Sequence, residues 1–248
     1  MTGIVEQSDI ESMNPIPPAS VDPEAERLYY SQFRKAQWKV LNDRPPKPID
    51  VALFFGRSWL DAEKTGVYQL MKDFYDQEMI TGIVLYGSDG QRFGETVPDV
   101  VGPGKRFARD RLVKMGIPND NIFDSELEDP AKNNTLEEGR AMLNLVKARG
   151  WNQAVAIASA HQLLRATLGL VKIVHNQSTP IDLWTAAPLN PDWNRLVKGA
   201  QGEHLGPRSE HILLEYNRIG PYQKKGNLAS FEEYLTYTKN RDQRRRMS

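Results

Sequence analysis

At 248 residues the chain can bury a sizeable core, and one α/β domain with decorations fits the length better than two full domains. Lysine plus arginine and aspartate plus glutamate each number 32, so nothing in the total charge points to nucleic acid or an anionic membrane surface as a partner. The chain has no cysteine, which excludes disulfides, thiolate nucleophiles and sulfur-built zinc sites and leaves oxygen and imidazole chemistry.

In chain order, residues 1–23 carry serine, proline and acidic residues without a sustained period and read as a flexible arm. They lack the basic start and apolar stretch of a signal peptide, and no run anywhere approaches the roughly 20 apolar residues of a membrane span. The expected location is therefore the cytoplasm. From Glu24 a helix is expected, with Tyr29, Phe33, Ala36 and Val40 as its apolar stripe and Asp22-Pro23 as its start signal. The linker Pro45-Pro46-Lys47-Pro48 forbids helix, so residues 24–48 form a helix and a proline-rich linker before the main domain, 49–190.

There the pattern alternates. Strands are expected at Ile49–Phe55, Gly82–Tyr86, Asn121–Asp124, Ala154–Ala158 and Ile181–Thr185, and helices at Ala62–Glu78, Lys105–Met115, Thr135–Arg149 and His161–His175. Within the first helix Val67, Leu70, Met71 and Phe74 share a face. Thr135 and Glu138 make a capping box and Gly150 closes that helix. Strands and helices alternating at this spacing predict an α/β, Rossmann-like, doubly wound fold, with a mostly parallel sheet and helices on both faces. Residues 191–248 read as a mostly helical C-terminal extension, with Ile212, Leu213, Tyr216 and Ile219 striped before a stop at Gly220-Pro221 and a frayed basic tail from Arg241 to Arg246.

Three loops leave the carboxyl ends of strands and are expected to meet at one edge: Gly56-Arg57-Ser58, Gly87-Ser88-Asp89-Gly90, and the stretch holding Ser159 and His161. Glycine allows close approach of a ligand, while serine and arginine offer donors to phosphate or carboxylate. If a helix starts at the third loop, His161 and Arg165 project from one face of its first turns. The exposed N–H groups there favour an anion. Arg165 and the loop amides are then anion-binding candidates. His161, with an unperturbed pKa of about 6.5, is the candidate acid or base, and a neighbouring guanidinium would favour its neutral form. Asn134 and Thr135 join the site if they face the same cleft, although capping alone accounts for Thr135. Asp89 joins the ligand-binding candidates with its loop; Glu95, Asp124, Glu126 and Glu128 lie in or near these loops, and ordinary solvation is expected for most of these acids. His204 and His211 carry no further ligand signature, so no metal is assigned. There is no dinucleotide glycine fingerprint, no phosphate-binding P-loop and no nucleophile elbow, which disfavours dehydrogenase, P-loop ATPase and α/β-hydrolase readings.

At these same positions the chain resembles the YdcF-like family, which includes the SanA and ElyC envelope proteins. The resemblance rests on Val51 to Gly56, Val84 to Gly90, Gly116-Ile117-Pro118, Asn134-Thr135-Leu136-Glu137-Glu138 and Ala158 to Ala166, in order over roughly 49–185. Glu138 stands where the family pattern has asparagine, Ile157-Ala158 where it has Thr-Ser, with Ser159 displaced by one, and the first loop has one glycine. The resemblance implies a Rossmann-like fold and makes S-adenosylmethionine the first candidate ligand. Two functions follow as expectations. One is a small-molecule-binding protein for a nucleotide-like or phosphorylated anion, with His161 as acid or base if it is an enzyme. The other is a non-catalytic sensor or protein-interaction module on the same fold.

Overall fold

The computed structural model describes residues 23–55, 66–87, 91–92, 95–96, 104–126, 135–177, 181–188, 192–198 and 205–247. Its centre is a five-stranded parallel sheet of β1 (Val51–Phe55), β2 (Ile83–Tyr86), β5 (Ile122–Ser125), β6 (Gln153–Ala158) and β7 (Asp182–Ala186), in the order β5-β2-β1-β6-β7. The chain moves outward from β1 through β2 to β5 and then returns to lay β6 on the other side of β1. That reversal makes the β1–β6 boundary the topological switch point.

The strand composition separates the two faces. Alternation in β6 sends Ala154, Ala156 and Ala158 to one side and Val155 and Ile157 to the other. The valine and isoleucine face pairs with Ala52, Phe54, Ile83 and Leu85 under α2 (Val67–Asp76) and α3 (Gly104–Lys114). The alanine face lies under α4 (Thr135–Ala148) and α5 (Leu163–Gln177), where small side chains let a helix approach the sheet closely. This is the expected doubly wound architecture.

Three helices outside the alternating unit join the α4–α5 side of the core. They are α1 (Pro23–Leu41), α6 (Arg208–Lys224) and α7 (Phe231–Met247). Phe33, Ala36 and Val40 of α1 are buried as its stripe predicts. The Phe33 ring lies 5.0 Å from Tyr216 of α6 and 5.8 Å from Phe231 of α7. Such aromatic contacts bind both ends of the chain into one apolar cluster.

Several expectations are corrected. The β6–α5 helix begins at Leu163, not His161, because Ser159 O accepts from Gln162 N at 2.9 Å and Leu163 N at 3.1 Å, which makes 159–162 a turn. In α2 the buried face is Val67, Tyr68, Met71 and Phe74, with Leu70 half-buried, and the expected start at Ala62 lies outside the described residues. Helix α6 does not stop at Gly220-Pro221. It runs on to Lys224, with Lys225 N bonding Pro221 O at 3.2 Å, and a Cβ at Gly220 would meet Tyr29 Oη at 3.2 Å. The stretch before α6 contributes a hairpin, β8 (Leu196–Lys198) with β9 (Leu205–Pro207), where helix was expected. A second short ladder pairs β3 (Gln91–Arg92) with β4 (Glu95–Thr96). The basic end is helical through Met247, and Arg241 is fully buried where a solvated tail was expected. Among the described residues no helix is long and apolar enough to cross a membrane.

Candidate functional site

Strands β1 and β6 run in register to their carboxyl ends, where Phe55 pairs with Ala158. Ser159, Ala160 and His161 follow at once, so the imidazole emerges at the switch point, where open α/β sheets take their ligands. Strand β2 ends at the same edge in Gly87, whose φ of 109° lies in the region that favours glycine. Two strand spacings, about 10 Å, separate it from β6. Gly56, Arg57, Ser58, Ser88, Asp89 and Asn134 lie outside the described residues.

The turn after β6 is enclosed by both extensions. Ser159 is buried, and Ala160 O accepts a hydrogen bond from Gln37 Nε2 of α1 at 3.3 Å. His161 is 3% exposed, and its ring centroid lies 5.4 Å from that of His211 on α6. In the first turn of α5, Arg165 Nη1 donates to Thr135 Oγ1 at 2.9 Å. Its Nε donates to Glu215 Oε2 and its Nη2 to Glu215 Oε1 at 3.3 Å. Glu215 also accepts from Arg218 Nη1 at 3.2 Å.

The two helices therefore meet in a repeated pattern. His161, in the turn before α5, and Arg165, in its first turn, face His211 and Glu215, which lie one helical turn apart on α6. Sequence reading placed His161 and Arg165 together, and the fold turns both toward α6. It reserved Arg165 for a ligand's anion, and here the anion on that guanidinium is the chain's own Glu215. Thr135 is the first residue of α4, and its hydroxyl serves Arg165 as an acceptor, a role beyond the cap read from the sequence. Glu138 is also buried. Burial works against the Arg165 charge, but Glu215 and then Glu138 outweigh it and raise the pKa of the guanidinium.

A buried guanidinium with a carboxylate on its fork, a hydroxyl beside it and two imidazoles in the same cluster can bind an oxyanion and can move a proton. His211, Glu215 and Gln37 are members that sequence reading missed. One signal was available: His211 and Glu215 each directly precede an apolar stripe residue, Ile212 and Tyr216, so they share the inward face of α6. Asp124 lies three strands from β6, paired with Arg109 Nη2 at 2.9 Å, and Glu126 is exposed. Glu128 and His204 lie outside the described residues. No group of three or more histidine and acidic residues is placed to hold a metal among the described residues. In comparisons with known protein families, curated proteins and solved structures, nothing matches this chain.

Proposed function

We propose that this chain is a YdcF-like small-molecule-binding protein whose nucleotide-like or phosphorylated ligand docks at the β1–β6 switch point beside His161. The observation that carries the reading is the placement of His161. It sits in the turn at the carboxyl end of the strand that flanks the switch point, against a second imidazole and four residues before a buried guanidinium. Buried charges and imidazoles cost folding free energy unless paired, and their gathering at this edge is what a binding site requires. If the ligand is turned over, His161 is the acid or base.

S-adenosylmethionine is the first ligand to test, on family resemblance. Its carboxylate suits Arg165 and Thr135, provided that Glu215 gives way. Native mass spectrometry of freshly purified protein, followed by calorimetric titration with S-adenosylmethionine, tests the reading. The expected result is a retained small-molecule mass or measurable binding that His161→Ala weakens by at least about tenfold, a loss of roughly 1.4 kcal/mol, while the thermal transition stays cooperative. Unchanged binding in that variant removes His161 from the site.

The second reading, a non-catalytic sensor, is favoured by one observation. Arg165 already holds a carboxylate from the C-terminal extension, an arrangement suited to a site read by displacement. Capture of a ligand that His161→Ala and wild type bind alike, with no turnover by either, is the outcome that selects it.

A further inference from the structure

The Glu215 carboxylate has two partners of unequal burial. Arg165 has a side chain 12% exposed and belongs to the α/β unit, whereas Arg218 has a side chain 35% exposed and lies three residues on along the same helix as Glu215. We propose that Arg165 and Thr135 form a carboxylate-binding subsite that Glu215 fills, and that Glu215 surrenders it to a ligand's carboxylate by turning onto Arg218. This inference rests on the ligand reading above and names the group recognised and how its entry is regulated.

Three features support the exchange. Arg165 presents Nε and Nη2 side-on to Glu215, the fork geometry by which a guanidinium holds any carboxylate. Thr135 Oγ1 accepts from Arg165 Nη1 at 2.9 Å and so places a hydroxyl beside the fork. Arg218 gives the displaced Glu215 a charged partner, so no carboxylate is left buried and unpaired. The movement needed is a side-chain rotation. Helix α6 stays docked through Ile212 and Ile219, both buried.

The surrounding charge selects the ligand class. Glu138 is buried and acts electrostatically on Arg165. Glu215 stays in the cluster on Arg218, so an incoming carboxylate adds one negative charge near Glu138 whereas a dianion adds two. The exchange therefore favours a carboxylate over a doubly charged oxyanion.

Full-length wild type, Glu215→Gln, Arg218→Gln and the double variant, each titrated with acetate and with sulfate by NMR chemical shift, test the exchange. Glu215→Gln should tighten acetate binding on the order of tenfold, the range of ordinary site–site coupling. Arg218→Gln should weaken it in the wild-type background. The double variant should keep the gain, because no carboxylate then needs a new partner. Unchanged acetate binding in Glu215→Gln overturns the exchange, as does an equal loss from Arg218→Gln in both backgrounds, which would make Arg218 a direct contact. A gain confined to sulfate overturns the carboxylate assignment. If Glu215→Gln does not fold, the single Arg218 variant decides, and unchanged acetate affinity there overturns the exchange. Failure of S-adenosylmethionine to bind any of these proteins counts against the ligand named above and leaves the acetate comparisons intact.

Discussion

Asp43 and Arg241 stand 198 positions apart and meet as a two-bond ion pair, Nη1 to Oδ2 at 2.8 Å and Nη2 to Oδ1 at 2.7 Å, with each side chain 1% exposed. The guanidinium carbon lies 3.5 Å from the centroid of the Trp184 ring on β7 and Nη1 also donates to Leu183 O. Burial works against the charge, yet Asp43 and Asp242 outweigh it and raise the pKa of Arg241. Either alanine substitution leaves a buried charge with only its more exposed neighbour, Asp242 for Arg241 or Lys39 for Asp43. Arg241→Ala and Asp43→Ala should each cost about 3–5 kcal/mol, and the double variant should cost clearly less than the sum. Urea unfolding of the four proteins checks this, and additive costs would mean the pair is not a unit.

Two tyrosines of α7 should behave oppositely. The Tyr234 hydroxyl is buried with no hydrogen-bond partner among the described residues, so Tyr234→Phe removes an unsatisfied group and should be neutral or stabilising by up to about 1 kcal/mol. The Tyr237 hydroxyl donates to Ile181 O at 2.7 Å and accepts from Leu183 N at 2.8 Å, so Tyr237→Phe should cost about 1–2 kcal/mol. Burial, the largest influence, pushes the Tyr237 phenol from 10.0 up to about 12. A folded-state pKa above the unfolded one means stability that is complete below pH 10 and lost as pH rises toward 12. Wild type should therefore lose more stability than Tyr237→Phe across that window, as followed by denaturant midpoints at stepped pH.

The start of α7 shows what sequence can and cannot yield. Ser230 Oγ accepts from Glu233 N at 3.0 Å while Glu233 takes the Ser230 N–H at 2.6 Å, a reciprocal capping box. The Ser-x-x-Glu spacing of Ser230 and Glu233 is legible in the sequence. Ser230→Ala should cost about 1 kcal/mol. Burial would raise the Glu233 carboxyl, yet the Ser230 N–H and Lys172 hold it below the usual carboxylate value of 4.5. Its contribution is present above that value and lost as pH falls through the lower folded-state pKa. Acid unfolding of Glu233→Gln should thus be flatter than that of wild type.

The sheet was readable because its signal is local: β6 runs Ala, Val, Ala, Ile, Ala, apolar toward both faces, and all five residues are buried. The burial of Arg241 was not readable, since it depends on partners distant in the chain, Trp184 and Asp43. The site divides the same way. His161 and Arg165 follow from a strand end and a spacing of four. Glu215 becomes a site residue only because α6 crosses the start of α5, a relationship that no short window of sequence contains.

Thr135 separates a capping role from a role at Arg165. Thr135→Val keeps the shape of the side chain and removes the acceptor of Arg165 Nη1, a charge-assisted bond whose loss should cost about 1.5–3 kcal/mol. Thr135→Ser should retain most of the stability, but serine preserves both roles and cannot tell them apart. A cycle with Arg165→Met can. If the hydroxyl matters through the guanidinium, Thr135→Val should cost little once Arg165 is gone. If it matters as a cap for α4, the cost should persist in the Met background. The structure assigns the hydroxyl to Arg165, so a coupling energy comparable to the single-variant loss is expected from urea unfolding. Near-zero coupling would return Thr135 to the helix end and remove it from the carboxylate subsite.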